Sequence, residues 1–188
     1  MDHLTDHLTA LLLAAQRGDQ EALERFVVET QHDVLALCRY LGDVDTADDL
    51  AQETYERAFA ALHRFRATGP ARHWLLTIAR RTCADSTRRR VRRRRLHRRI
   101  ESEPTDIATQ PSTAIELDEA LRALDPDRRA AFVLTQINGL RYEEAAELLD
   151  VPIGTIRSRV ARAREQLTEA LSPTSQELRR VAGRPHER

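Results

Sequence analysis

Residues 140–167, LRYEEAAELLDVPIGTIRSRVARAREQL, decide the fold. Tyr142, Ala145, Ala146 and Leu149 recur at the three- and four-residue spacing of one helical face. Asp150, Val151 and Pro152 break the pattern as a short turn. Ile156, Val160, Ala163 and Leu167 then form a second apolar stripe. Two short amphipathic helices joined by a tight turn are the helix-turn-helix arrangement, whose second helix lies in the DNA major groove. At about 100° per residue, Ser158, Ala161, Arg162 and Glu165 point away from the stripe, flanked by Arg157, Arg159 and Arg164. An outward Arg can read guanine through O6 and N7. Flanking Arg side chains and the amides near Gly154 and Thr155 suit phosphates. The plainer alternative is a solvated Arg-rich helix in an ordinary bundle.

Working outward, the chain reads as helical almost throughout. A first helix is expected over residues 4–16, ended by Gly18 and Asp19, with Asp19 capping the next. Leu23, Phe26, Val27, Val34, Cys38 and Leu41 give that second helix its apolar face. Thr46, three residues before Asp49, is a capping pattern for a third helix with Leu50, Thr54, Ala58, Ala61 and Leu62 on one side. Gly69-Pro70 breaks the chain before a fourth helix near Ala71, which holds Trp74, Leu75, Ile78 and Ala79 and runs into an arginine tract. Residues 101–113 carry Pro104, Pro111, Glu101, Glu103 and Asp106 with little to bury, the composition of a flexible acidic linker. The fold class expected is all-α: two small helical domains, residues 1–99 and 114–171, joined by a flexible linker over 100–113, with a polar tail over 172–188.

The formal net charge of the 188 residues is zero, but it is unevenly spread. Residues 1–63 hold 4 Arg against 13 Asp and Glu, a net −9. Residues 64–99 hold 14 Arg against one Asp, a net +13, and residues 100–188 carry −4. Such a chain offers one basic surface to a polyanion and an acidic one to something else. Every basic residue is Arg. No apolar run approaches the roughly 20 residues that span a bilayer, so no membrane insertion is expected. The start, Met1-Asp2-His3-Leu4, lacks the basic and apolar segments of a secretory signal. Cys38 and Cys83 have neither metal-ligand spacing nor the density of a disulfide framework, and read as small core residues in a reducing cytoplasm. His3 and His7 stand four apart, but a solvated terminus is the simpler reading. No metal, cofactor or catalytic constellation is expected.

On the third helix Asp48, Asp49, Gln52, Glu53 and Glu56 share a face. A metal would need convergent oxygens from several elements. A solvated face and a dock for a basic partner remain open. Further on, Arg66, Arg72, His73, Arg80, Arg81 and Arg88 surround Phe65 and Trp74. Arginines for phosphates beside rings for unstacked bases make the composition of a single-strand or melted-duplex binder, although both rings would also serve as core.

In this order the pieces resemble the extracytoplasmic-function group of bacterial sigma factors, over roughly residues 19–171. The run from Asp48 to Tyr55, DDLAQETY, is similar to that family's region-two helix, which docks on the clamp helices of the largest catalytic RNA polymerase subunit. The resemblance therefore implies polymerase contact by Asp48, Asp49, Gln52 and Glu53. Phe65-Arg66 to Trp74-Leu75 and then Ile78-Ala79-Arg80-Arg81 resembles the part that opens the −10 element and captures a flipped base. It implies −10 contacts by Phe65, Arg66, Arg72, His73, Trp74, Arg80, Arg81 and Arg88. Gly154 to Arg159 followed by Arg162-Ala163-Arg164 is similar to the region-four helix that reads the −35 element. It implies contacts by Thr155, Arg157, Ser158, Arg159, Ala161, Arg162 and Arg164. In the family the linker threads toward the RNA-exit path, and many members are held inactive by an anti-sigma protein.

The resemblance implies a non-enzymatic, cytoplasmic subunit, nucleoid-associated when bound to polymerase, whose partners are core RNA polymerase, promoter DNA and an anti-sigma factor. The competing class is a stand-alone helix-turn-helix regulator, which leaves the acidic helix and the arginine tract without a task. A nucleic-acid enzyme lacks any candidate catalytic cluster.

Overall fold

The computed structural model describes residues 3–42, 44–97 and 113–172, and among these every regular element is helical. The order is α1 (His3–Gln16), α2 (Gln20–Leu41), α3 (Ala47–Ala61) and α4 (Ala71–His97), then α5 (Thr113–Ala123), α6 (Pro126–Phe132), α7 (Tyr142–Leu149) and α8 (Ile153–Ala170). Single 3-10 turns at Val44–Thr46 and Leu62–Arg64 flank α3, and a π-turn, Val133–Ile137, follows α6. The chain divides into two units, one built on α1–α4 and including residues 136–140, the other on α5–α8. Of the expected linker, residues 100–113, all but Thr113 lie outside the described residues, as does the tail beyond Ser172, and Thr113 opens α5.

Helix ends follow local chemistry. Gly18 stops α1 at φ +98°, a conformation costly to any residue with a Cβ. Asp19 then caps α2, its carboxylate accepting from the Ala22 amide at 3.0 Å. Gly42 ends α2 by donating its amide to the Cys38 carbonyl at 2.9 Å. A Cβ there would press on Leu50 and sit 2.6 Å from that carbonyl oxygen, so α2 and α3 meet closely at this corner. The expected Thr46 cap differs: its side chain makes no capping bond to α3, because a 3-10 turn already leads the chain into the helix.

The first unit's core joins Leu8 and Leu12 of α1, Phe26, Val34, Leu37 and Cys38 of α2, Leu50 and Ala58 of α3, and Leu75, Leu76, Ala79 and Cys83 of α4. Leu23, Val27 and Leu41, expected on the α2 apolar face, are only half-buried, as are Ala61 and Leu62 at the end of α3. Leu37 and Thr30 take the central places on α2 because three helices, α1, α3 and α4, all pack on it, so its buried surface is wider than one apolar stripe. Thr30, Thr54 and Thr82 are buried without cost in unpaired hydroxyls. Each donates to the carbonyl four residues back, Phe26, Leu50 and Ile78 respectively.

Tyr55 fills the space between α3 and α2, its hydroxyl 2.9 Å from Thr30 Oγ1. Burial pushes its phenol up to about 12. A folded pKa above the unfolded value near 10 means that the neutral phenol stabilises the fold fully below pH ~10. That contribution is lost as pH rises through about 12. Alkaline titration by ultraviolet difference absorbance is expected to show one late-ionising phenol that is missing from Tyr55→Phe. Identical titrations of the two proteins would contradict this burial.

In the second unit α8 is the hub, packed by α5, α6 and α7. Its stripe of Ile156, Val160, Ala163 and Leu167 is buried as the periodicity requires. On α7 the buried residues are Ala145, Ala146 and Leu148. Leu149 and Tyr142, expected on that face, are half-buried, because a helix of two turns meets α8 along a line shifted by one residue. Asp125 caps α6, accepting from the Asp127 and Arg128 amides at 3.0 and 3.4 Å, with Pro126 at the first helical position.

Candidate nucleic-acid and partner interfaces

The helix-turn-helix is closed by Asp150, which takes the left-handed conformation (φ +54°, ψ +51°) at the end of α7. The Val151 amide donates back to Ala146 at 3.1 Å, the hydrogen-bonded ending that satisfies a helix C-terminus. Pro152 then opens α8, its carbonyl accepting from Thr155 and Ile156. With the stripe locked inward, Arg157, Ser158, Ala161, Arg162 and Arg164 are all exposed, and Thr155 is half-buried beside them. These residues form one outward surface of the rigid helix. Arg159 departs from that pattern. It is half-buried and forms an ion pair with Asp127 of α6, which aims its guanidinium at the protein.

In the first unit, Asp48, Asp49, Gln52 and Glu56 are exposed along α3, and Gln52 Nε2 donates to Glu56 Oε1 at 3.0 Å. Glu53 does not share their situation. It accepts from Arg57 Nη2 at 2.6 Å and from Arg89 Nη2 of α4 at 3.1 Å. Arg57 reaches on to Asp85 Oδ2 at 2.9 Å, and Arg88 approaches the other oxygen at 3.4 Å. The hydrogen bond from Arg57 holds the Asp85 carboxyl below its usual range. This network ties α3 to the arginine tract of α4. Sequence reasoning passed over Phe59, which lies three residues beyond Glu56 and is 37% exposed, its ring tilted against that of Tyr55 at 5.9 Å between centroids. An exposed aromatic within an acidic face was readable from its spacing to Gln52 and Glu56.

The −10 candidates separate in the same way. Arg66, Arg81 and Arg88 are exposed, while His73, Trp74 and Arg80 are half-buried. Arg72 is held by Asp33 of α2, its Nε donating to Oδ2 at 2.7 Å. Phe65 is only 6% exposed, so its ring is not offered to a ligand. It backs the Trp74 ring instead, centroid to centroid 5.2 Å, which leaves Trp74 as the ring on the surface. Among the described residues no group of three or more His, Cys, Asp or Glu could hold a metal ion, and no helix is long and apolar enough to cross a membrane.

Comparison with known proteins gives the family. Residues 26–93 match sigma-70 region 2, and residues 114–167 match sigma-70 region 4. These two matches place the chain in the sigma-70 class. The ECF RNA polymerase sigma factor SigC of Mycobacterium tuberculosis is 43% identical over 170 residues, covering 88% of this chain and 92% of that one. The ECF RNA polymerase sigma-E factor of Escherichia coli is 32% identical over 188 residues, covering 92% and 97%. Among solved structures, the sigma factor RpoE of Bartonella quintana, in complex with the anti-sigma factor NepR, aligns with a TM-score of 0.70 at 30% identity. That alignment covers 79% of this chain and 96% of the other. The chain therefore belongs to the extracytoplasmic-function sigma factors, alternative sigma factors that direct transcription initiation. Sigma factors as a family are not enzymes.

Proposed function

We propose that the two units divide promoter recognition between them while the acidic face of α3 carries the polymerase. Core RNA polymerase docks on Asp48, Asp49 and Gln52, with Glu56 and Phe59 extending the surface. Glu53 supports it from behind through Arg57 and Arg89. The −10 element meets Arg66, His73, Trp74, Arg80, Arg81 and Arg88, with Phe65 and Arg72 holding the loop and α4 in place. The −35 element meets Thr155, Arg157, Ser158, Ala161, Arg162 and Arg164, while Arg159 buttresses α8 against α6. Residues 1–99 act as the region-two domain, 114–171 as the region-four domain, and 100–113 as the linker. The chain has no catalytic activity of its own and works in the cytoplasm, where polymerase and promoter are. A dedicated anti-sigma protein, by likeness to the Bartonella quintana complex, completes the partners.

The observation that carries this reading is the coexistence of an exposed acidic helix face and an outward Arg face on a locked recognition helix. A stand-alone regulator needs only the second. Run-off transcription with purified core enzyme over a promoter library is the test. Specific start sites that require the added chain support the reading, and operator binding without any initiation contradicts it.

Within the recognition helix, Arg162→Ala is expected to weaken promoter complexes by about 1–3 kcal/mol and to relax preference at one or two base pairs. Arg164→Ala is expected to weaken all promoters alike, as loss of a phosphate contact does. Competition binding of the holoenzyme across a −35 library measures both. Equal loss on every sequence for Arg162→Ala would make it a backbone contact.

A further inference from the structure

Helix α1 carries none of the proposed interface residues, and it lies upstream of the stretch that matches sigma-70 region 2, which begins at residue 26. Two of its polar side chains nevertheless reach the loop between α3 and α4. Gln16 Nε2 donates to the carbonyls of Leu62 and Phe65, each at 2.9 Å. Both partners are acceptors, so the amide uses both of its N–H bonds there. Thr9 Oγ1 accepts from the Ala71 amide at 3.1 Å, satisfying one of the donors that the first turn of α4 leaves open. Thr9 and Gln16 stand seven residues apart, on one face of the helix and about 10 Å along its axis. Beside them Leu8, Leu12 and Ala15 anchor α1 in the core. One helix thus holds the chain both where it leaves α3 and where it enters α4.

We propose that Gln16 and Thr9 are positioning residues for strand capture, setting the loop so that Arg66, His73 and Trp74 meet the opened strand together. The inference rests on the −10 reading given above and adds to it the residues that fix the loop. Between the two pins Arg66, Thr68 and Gly69 are exposed, and Ala67 is held at φ +51°. A residue with a Cβ persists in that left-handed conformation where its surroundings impose it. The Phe65 carbonyl held by Gln16 lies two residues before Ala67. Phe65 also backs the Trp74 ring, centroid to centroid 5.2 Å. The Gln16 pin therefore fixes the platform on which Trp74 lies, while the Thr9 pin acts three residues before Trp74 itself. Both pins hold backbone atoms, so they set the path of the chain whatever side chains the loop presents. A loop already fixed loses less freedom on binding a flipped base, and more of the stacking is left to offset the flipping.

Gln16→Met keeps the helix propensity of the position and removes both donors. Trp74 is the chain's one tryptophan, so its fluorescence reports on this loop directly. In the free full chain Gln16→Met is expected to make that emission more open to acrylamide quenching. With core enzyme on promoter duplex it is expected to lower the opened fraction of bound complexes by about threefold to tenfold, as loss of one or two hydrogen bonds does. Permanganate reactivity in the −10 element, on complexes counted by filter binding, is the measurement. Thr9→Val is expected to act in the same direction. Cys38→Ala, a core deletion on α2, shows what lost stability does by itself. Because Gln16 acts through the loop, Gln16→Met in a Trp74→Ala chain should change opening by less than about twofold. Trp74→Ala complexes that open as the native ones do would remove the −10 reading, and this role with it. Opening that needs Trp74 overturns the role of Gln16 alone in any of three cases: Gln16→Met leaves quenching or opening unchanged, costs as much in the Trp74→Ala chain as in the native one, or costs no more than Cys38→Ala at a matched melting temperature.

Discussion

Reversing Asp49 and Glu56 together to Arg is expected to abolish assembly with core RNA polymerase while the chain stays folded. Both carboxylates are exposed on α3, seven residues apart, so one partner surface can cover both. Reversing a charge that becomes buried and paired at an interface costs about 2–5 kcal/mol. Two such losses lower affinity by at least about a hundredfold even at the smaller figure. The price inside the chain is smaller. Asp49 sits in the first turn of α3, where a positive charge opposes the helix dipole by about 0.3–1 kcal/mol. That amounts to a fall of at most roughly 8 °C in melting temperature for a domain of this size. Glu53→Arg would be a poor substitute for either. It would set a third guanidinium against Arg57 and Arg89 and loosen α3 from α4, so lost binding could not be told from lost folding. Pull-down with core enzyme, alongside thermal melts, is the measurement. Unchanged assembly of the Asp49 and Glu56 double reversal would remove the docking role from this face.

That distinction between Glu53 and its neighbours marks how far the sequence could be read. Periodicity places a residue on a face of its own helix, and that sufficed for the four helices of the first unit. It also sufficed for the helix-turn-helix and for the outward position of Arg157, Ser158, Ala161 and Arg162. It carries no information about what a second helix brings opposite. Glu53 turns inward because Arg57 and Arg89 converge on it, and Arg89 is thirty-six residues away in the chain. Arg159 is held by Asp127 for the same kind of reason. Leu148 displaces Leu149 from the core because α7 is too short to average over its contact line with α8. The charge reading had the same strength and limit. Segment totals marked the arginine tract and periodicity turns Arg81 and Arg88 away from Arg90 and Arg93, but only packing shows that Arg89 is held by Glu53 and that Arg90 and Arg93 line a cavity with Thr46.

Promoter opening is expected to depend on Trp74 more than on any other aromatic side chain of the first unit. Phe65 and Trp74 were equal candidates as rings for a flipped base, and their burial separates them. Phe65 is enclosed, and Trp74 lies over it with one side toward solvent. A base leaving the duplex costs a few kcal/mol in lost pairing and stacking. Stacking on an aromatic ring returns about 1–3 kcal/mol per base. Trp74→Ala should therefore reduce open complexes by about tenfold to a hundredfold, since each 1.4 kcal/mol is a factor of ten. Trp74→Phe should retain most of them. Phe65→Ala acts through a different quantity. It empties a buried site at a cost of about 3–5 kcal/mol to the fold, so its effect on opening should track its loss of melting temperature. Arg162→Ala provides the contrast, lowering promoter binding while leaving the opened fraction of bound complexes unchanged. Permanganate reactivity of unpaired thymines in the −10 element, with core enzyme present and complexes counted by filter binding, separates opening from binding. Trp74→Ala holoenzyme that opens bound promoter as fully as the native one would show that the captured base stacks elsewhere.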